Sequence, residues 1–238
     1  MKTYRTKTGP FQEKPFFKPE EIDQICIQEL VEQELFPTDP APIRIDRFIE
    51  KRFRIQPRYE DLPEGVLGGT IFGKNGVEEI IIARSLDREG TRPAERRLRT
   101  TLAHESGHGL LHAHLFVLSA QSGSLLDNGR ESEKPKILCR EENILSAKVS
   151  SQNKSPYRWW EFQANLAMGA LLLPKSLVKT ALSPLLTARG LLEIKYLEAS
   201  HRQEAIRLLA ETFDVNPIVA KIRLERLFPM AEEYQLTI

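Results

Sequence analysis

The sequence is poor in cysteine and has no long run of apolar residues. Two cysteines, Cys26 and Cys139, stand among 238 residues, which excludes a disulfide scaffold. No apolar stretch approaches the roughly 18 residues that a membrane-spanning helix needs. The opening segment MKTYRTKTGPFQEK lacks the apolar core of a secretory signal. We therefore expect a cytoplasmic protein that does not enter a membrane.

The sequence also lacks an excess of charge of either sign. Lysine and arginine number 34 against 33 acidic residues, for a formal net charge of +1. This balance excludes the bulk polycation that binds nucleic acid without specificity, although a local basic patch is still compatible with it. Histidine is scarce too, with five residues in the chain. Four of them are concentrated in one short stretch: His104, His108, His112 and His114.

The pattern of apolar residues predicts a small β-sheet among helices. Two β-rich runs, 66–73 and 77–84, flank Lys74-Asn75-Gly76, and this turn favours a hairpin because Asn and Gly tolerate positive φ. Helical spacing is present in four further segments. These are 19–35, 45–53, 93–115 and 159–173, the last ended by Pro174.

The length predicts one generous domain or two small ones. We expect a flexible N-terminus over 1–17, a core over 18–174 and a helical C-terminal subdomain over 175–238. Within the core, 119–157 is rich in polar residues, and so long a stretch without regular elements is often a functional loop or lid.

The stretch His104-Glu105-Ser106-Gly107-His108 lies in a segment predicted to be helical. Residues i and i+4 of an α-helix project from the same face, so both imidazoles can bind one metal ion. Glu105, about 100° round the helix, can reach a water on that metal and act as its general base. The alternative is that these are ordinary polar groups on a partly exposed helix.

A catalytic zinc site needs a third protein ligand. His112 lies about 12 Å along the helix axis from His104, too far for one ion to bind both without breaking the helix. His114 would need a glycine turn at position 111, where the chain has Leu111. We therefore expect His112 to support a ligand or to pack in the core, and His114 to lie on the surface.

Glu161 is the better candidate for the third ligand. It lies in a strongly apolar predicted helix, where a carboxylate is costly unless a cation pairs with it. Asn165, one turn later, could accept a hydrogen bond from the Nδ1–H of a zinc-bound histidine. Small residues would let this helix approach the HExxH helix closely: Ala164, Ala167 and Gly169. The alternative for Glu161 is a salt bridge to Arg158.

The segments TLAHESGHGLLH and EFQANLAMGALLLP resemble the motifs of the ImmA/IrrE family of metallopeptidases. In that family, HExxH is followed by a glutamate that opens an ExxAN helix ending in Leu-Leu-Met-Pro. These positions match His104, Glu105, His108, Glu161, Ala164, Asn165, Ala167, Leu171, Leu172 and Pro174, with Leu173 in place of methionine.

The resemblance implies a compact zincin-type α+β core. Its small sheet would pack on the HExxH helix and on the helix of the third ligand. It also implies intracellular proteolysis, which in this family is commonly directed at helix-turn-helix repressors of mobile elements or stress responses.

Three residues near the expected site have less certain roles. Cys139 precedes the third-ligand helix, where its thiolate could cap the zinc as a latch, or where it is simply a half-buried structural cysteine. Tyr157 and Arg158 are candidates to stabilise the oxyanion of a tetrahedral intermediate, although many loop residues could do the same.

The C-terminal segment 209–227 has the spacing of a helix-turn-helix. Lys221, Arg223 and Arg226 would then supply phosphate contacts. The alternative is a pair of amphipathic helices that complete the hydrophobic core.

The main hypothesis is a zinc endopeptidase with one Zn²⁺ per chain and a protein substrate, without direct nucleic-acid binding. A DNA-binding regulator with a structural or sensory zinc is the alternative. A scaffold protein without turnover is the third hypothesis, although it would have no need of Glu105.

Overall fold

A computed structural model describes residues 2–5, 13–123, 135–141, 158–189 and 194–229. The fold is α+β: helices surround a small mixed sheet. The helices are α1 (Pro19–Glu32), α2 (Ile45–Phe53), α3 (Arg84–Arg88), α4 (Arg92–Gly123), α5 (Arg158–Leu172), α6 (Lys175–Ala181), α7 (Arg202–Thr212) and α8 (Pro217–Leu227). The strands are β1 (Lys2–Arg5), β2 (Glu13–Phe16), β3 (Arg58–Glu60), β4 (Val66–Gly73), β5 (Gly76–Ala83), β6 (Lys136–Arg140), β7 (Leu186–Arg189) and β8 (Ile194–Leu197).

The central sheet has four strands in the order β3-β5-β4-β6. β4 and β5 form the hairpin predicted from the sequence, and Gly76 in its turn has a φ of 115°, which a side chain would strain. β3 runs parallel to β5, whereas β6 runs antiparallel to β4. β6 was not expected, because it falls within the segment predicted to be a loop over 119–157. The rest of that segment, apart from the end of α4, lies outside the described residues.

The helices α4 and α5 cross closely at Gly107. A Cβ built on Gly107 would lie 3.0 Å from both the carbonyl oxygen of Ala164 and the Cβ of Ala167. The expectation that Ala164 and Ala167 permit a close approach is therefore confirmed. Gly169 plays no part in it, since the nearest atom to a Cβ there would be the Cδ of Arg223 on α8, at 3.5 Å.

The two ends of the chain contain strands that the sequence analysis missed. β1 and β2 pair antiparallel within the segment expected to be flexible. β7 and β8 form a second short hairpin inside the C-terminal part that was expected to be helical throughout. Each pairing involves only four residues per strand, too few for alternation to stand out from helical spacing.

One hydrophobic cluster connects the N-terminal helices, the sheet and the C-terminal helices. Its fully buried members include Phe48 on α2, Ile80 on β5, Leu172 on α5 and Phe213 after α7. α4 is in contact with this cluster through Leu102, Ala103 and Leu111. Among the described residues, no helix is both long enough and apolar enough to cross a membrane.

Arg223 on α8 is buried, whereas the DNA-binding alternative required it at the surface. Arg223 is 3% exposed, and its guanidinium donates to the carbonyl of Leu173 and to Asp23 on α1. Arg223 is therefore not placed to contact a phosphate. The remaining cations of that alternative are Lys221, which lies 3.9 Å from Glu225, and Arg226, which lies over the ring of Phe162.

Candidate metal centre

Two histidines of α4 and a glutamate of α5 converge in the interior. The Nε2 atoms of His104 and His108 are 3.1 Å apart. The carboxylate of Glu161 lies 3.2 Å from Nε2 of His104 and 3.6 Å from Nε2 of His108. Both histidines have no exposed surface, and the Glu161 side chain is 12% exposed. These three residues lie close enough to bind one metal ion.

The distances match those expected around a single small cation. With metal–ligand distances of about 2.0–2.2 Å, neighbouring ligands of a tetrahedral zinc are roughly 3.3–3.6 Å apart. The three ligand–ligand distances in the structure are 3.1, 3.2 and 3.6 Å. The donor set of two imidazole nitrogens and a carboxylate is also one that zinc prefers in catalytic sites.

The tautomer of His104 is set by Asn165. Nδ1 of His104 lies 3.0 Å from Oδ1 of Asn165, the contact that the sequence predicted. An amide oxygen only accepts, so Nδ1 carries a proton and Nε2 is the nitrogen that can bind a metal. Although burial lowers it, the neighbouring Cys139 and Glu161 raise the pKa of His104 well above its ordinary value, so Nε2 is protonated as well when no metal is bound. Nε2 faces His108 and Glu161.

The tautomer of His108 is set by a longer chain of hydrogen bonds. The amide nitrogen of Gln163 donates to the carbonyl of Pro15, so the Oε1 of Gln163 accepts from Nε2 of His112. Nδ1 of His112 then accepts from Nδ1 of His108, at 3.1 Å. Burial lowers the pKa of His112 well below its usual range, so His112 is neutral as this chain requires. The lone pair of His108 is thereby left on Nε2.

Two imidazole nitrogens and a carboxylate therefore converge within 3.1 to 3.6 Å. The negative charge of Glu161 needs a positive partner in this buried setting, which is the protonated His104 when no metal is bound and a metal ion that replaces that proton when one binds. Although burial alone would raise the pKa of Glu161, the imidazoles of His108 and His104 hold it well below its usual range. Glu161 is thus ionised, and the residues present fit a divalent metal ion.

Glu105 lies beside this cluster, and its two carboxylate oxygens differ in their hydrogen bonding. Its Oε2 accepts a hydrogen bond of 2.6 Å from the hydroxyl of Thr70 on β4. Its Oε1 is buried and has no hydrogen-bond partner among the described residues. Burial raises the pKa of Glu105 above its ordinary value, which makes the carboxylate a stronger base. A buried, unpaired carboxylate oxygen is suited to take a proton from a group bound beside it.

Thr70 is the functional contact that sequence reasoning missed. It is the one side chain capable of strong hydrogen bonding in the strand VLGGTIFG, and it is fully buried. A lone hydroxyl at an inward position of an apolar strand needs a polar partner. That feature of the sequence could have singled out Thr70, although not its partner.

Cys139 lies against the same cluster from β6. Its thiol is fully buried, and ligand atoms of Cys139, His104 and Glu105 all lie within 4.8 Å of one another. Burial raises the pKa of the thiol to about 11. Cys139 is fully buried and not half-buried as expected. Its position beside His104 is compatible with the role of a latch on the metal.

The remaining candidates fall at or beyond the edge of the described structure. Tyr157 lies outside the described residues, and so does the side chain of Arg158, which opens α5. A salt bridge from Glu161 to Arg158 is therefore not tested, whereas the contacts of Glu161 with both histidines are present. His114 is half-buried rather than on the surface.

No family model matches the chain, and no curated protein or solved structure is significantly similar to it. The resemblance to ImmA/IrrE metallopeptidases accordingly rests on the two motifs described above.

Proposed function

We propose that the protein is a zinc-dependent endopeptidase with a zincin-like core. The observation that carries the proposal is the convergence of the Nε2 atoms of His104 and His108 with the carboxylate of Glu161, beside a buried Glu105 that has one oxygen without a partner among the described residues. A purely structural metal site would have no use for a second carboxylate left partly unpaired. The ligands in the proposal are His104, His108 and Glu161.

The residues of the chain would divide the work of peptide hydrolysis. A bound zinc ion would polarise the scissile carbonyl and lower the pKa of a coordinated water. Glu105 would remove a proton from the attacking water at Oε1 and deliver it to the leaving amine nitrogen. The Thr70 hydroxyl, which donates to Oε2 of Glu105, would keep this carboxylate oriented towards the water during both proton transfers. Asn165 and His112 would keep the two imidazoles in the metal-binding tautomer.

The substrate proposed is an intracellular protein, with a helix-turn-helix repressor as the first choice. This part of the proposal is supported by the resemblance of the two motifs to the ImmA/IrrE family. Cytoplasmic localisation belongs to the same proposal.

The test compares two variants with a matched control. Glu105→Gln should retain one zinc per chain, measured by elemental analysis, and lose cleavage of labelled unfolded casein or of a purified helix-turn-helix repressor. Glu161→Ala should lose the metal itself. Glu95→Gln, an exposed site on α4, should change neither. Cleavage that survives in Glu105→Gln would overturn the mechanism, and a full zinc content in Glu161→Ala would overturn the ligand set.

A further inference from the structure

The strand β6 occupies the edge of the sheet that lies beside the candidate metal centre. It pairs antiparallel with β4, placing Cys139 opposite Gly68 and Ile137 opposite Thr70. Ile137 and Cys139 are buried, whereas Lys136, Leu138 and Arg140 are exposed. An extended peptide binds to a protein most simply by adding a strand to such an edge. β6 is therefore where a bound peptide would lie along β4.

The register of β6 brings a metal-binding atom to the centre. The thiol of Cys139 lies beside His104, with its hydrogen bond donated to the carbonyl of Arg140 at 3.8 Å. In a tetrahedral zinc site, a sulfur and a nitrogen ligand are roughly 3.6 Å apart, and the Cys139 and His104 ligand atoms are within 4.8 Å. Cys139 is not in the group that His104 forms with His108 and Glu161, so the sulfur would have to move towards these two residues by about 1 Å or more to join the ligand set.

Glu105 supplies an independent observation on the same space. Glu105 offers a carboxylate oxygen to the group that includes the Cys139 thiol, and its Oε1 is buried without a hydrogen-bond partner among the described residues. This oxygen is the atom that would face a metal-bound water in the proposed mechanism. The sulfur of Cys139 therefore lies on the Glu105 side of the centre, where it would compete with a metal-bound water for one coordination position.

The centre is also mostly covered. His104, Glu105 and His108 have no exposed surface, and the Glu161 side chain is 12% exposed. We expect that a covering element has to move before a peptide carbonyl can reach a metal held by these residues. In the sheet, β4 lies between β5 and β6. Of these two neighbours, β6 is the shorter strand.

We propose that Cys139 is a fourth ligand of this metal and that β6 is an internal peptide that blocks the substrate edge of β4. The proposal rests on the proposed function, because it assigns a resting state to the same centre. On binding, the thiol releases its proton to solvent and the thiolate takes the position of the water. Displacement of β6 would remove the sulfur and expose the β4 edge in a single movement.

A glycine on β4 allows β6 to lie this close. A Cβ at Gly69 would be 2.8 Å from the carbonyl oxygen of Ile137 and 2.9 Å from the Cδ2 of Leu138. The first of these atoms is backbone, which cannot turn aside. Gly69 thus offers a way to push β6 away without touching a ligand.

The experiment uses Co²⁺ in place of zinc on the full chain. A thiolate bound to Co²⁺ gives a strong charge-transfer absorption in the near ultraviolet, whereas nitrogen and oxygen ligands do not. We expect this band in the wild-type protein and in Cys26→Ala, and its complete loss in Cys139→Ala and Cys139→Ser with cobalt content unchanged. Cys26 is the matched control because it is equally buried, but its thiol donates a hydrogen bond to the carbonyl of Ala167.

The possible failures are distinguishable. Cobalt bound at one per chain without the band, or a band that persists in Cys139→Ala, would overturn the fourth ligand and leave the metal site standing. A wild-type protein that binds no cobalt would overturn the proposed function as well.

A second pair of variants tests the blocking strand. Gly69→Ala and Ile137→Asn should each weaken the charge-transfer band at full cobalt content, because both loosen β6. They should also increase the rate at which iodoacetamide alkylates Cys139 in the zinc-loaded protein, by tenfold or more. An unchanged band and an unchanged alkylation rate in both variants would show that β6 does not hold the thiol at the metal.

Discussion

The side chain that holds Glu105 in place is a threonine from a neighbouring strand. The Thr70 hydroxyl donates to Oε2 of Glu105 at 2.6 Å in a fully buried setting. Thr70→Val keeps the shape of the side chain and removes the donor, leaving both carboxylate oxygens unpaired. We expect turnover to fall about 10- to 100-fold while zinc content is unchanged. Steady-state cleavage rates and elemental analysis give the two quantities.

Thr101 provides the control for this substitution. It is also fully buried, but its hydroxyl donates to the carbonyl of Arg97 within α4. Thr101→Val should therefore leave turnover within about twofold. If Thr70→Val and Thr101→Val reduce turnover equally, the contact with Glu105 is not what matters.

Asn165 fixes the orientation of one metal ligand. Without its Oδ1, Nδ1 of His104 loses its acceptor and the imidazole can adopt the wrong tautomer. We expect Asn165→Ala to weaken zinc binding about 10- to 100-fold, measured by competition with a chromogenic chelator. Asn216→Ala removes an N-cap of α8 and should lower stability without changing zinc affinity. Equal zinc affinities in the two variants would contradict this role.

At the scale of single residues, the sequence located the ligands better than it located their supports. His104 and His108 are one helical turn apart, so local geometry alone brings them together. Glu161 could be found because an apolar helix does not tolerate an unpaired carboxylate. Thr70 could not be paired with Glu105, since that contact depends on how the sheet packs on α4, which no local pattern specifies.

At the scale of elements, the metal site depends on how closely two helices cross. Two ligands lie on α4 and the third on α5, with Gly107 at the crossing. Gly107→Ala places a methyl group 3.0 Å from the Ala164 carbonyl oxygen and should separate the helices. We expect a loss of about 1–3 kcal/mol in the free energy of unfolding and weaker zinc binding. Urea titrations and chelator competition measure the two effects.

Gly169 is the matched control on the partner helix. A Cβ there makes only an ordinary contact of 3.5 Å with Arg223. Gly169→Ala should therefore gain up to about 1 kcal/mol from helix propensity, with zinc affinity unchanged. If Gly169→Ala loses as much stability as Gly107→Ala, the close crossing of α4 and α5 does not explain the loss in Gly107→Ala.

Elements with strong local patterns were predicted correctly, whereas short paired strands were not. The helix over 45–53 and the hairpin beginning at Val66 are confirmed. β6 was missed although KILCR alternates between exposed and buried, because five residues amid polar sequence give a weak pattern and its partner β4 is distant along the chain. The pairing of β1 with β2 was missed as well, because the polar composition of this segment had favoured a flexible N-terminus.

At the scale of the whole molecule, Arg223 links three helices. It lies on α8, donates to the end of α5 at Leu173 and forms an ion pair with Asp23 of α1. Arg223→Ala should cost about 3 kcal/mol of unfolding free energy, because it leaves a buried carbonyl and a largely buried carboxylate unpaired. Lys221→Ala, two residues away on α8 and half-exposed, should cost no more than ~0.5 kcal/mol.

Urea unfolding of both variants settles this comparison. A near-zero cost for Arg223→Ala would mean that the contact is dispensable to the core. Retention of stability together with salt-dependent DNA binding by the wild type, lost in Arg223→Ala, would instead favour the regulator alternative. The placement of Arg223 was beyond sequence reasoning, since an arginine in an amphipathic helix is ordinarily expected to face solvent.

The chain of hydrogen bonds that begins at His108 ends on the backbone of β2, at the carbonyl of Pro15. The orientation of a metal ligand deep in the protein is thus anchored to a hairpin formed by the first residues of the sequence. A purification tag, a proteolytic nick or a trimmed expression clone that disturbs this hairpin would free Gln163 and then His112. We consequently expect a lower metal affinity in versions of the protein whose hairpin is disturbed than in versions that keep it.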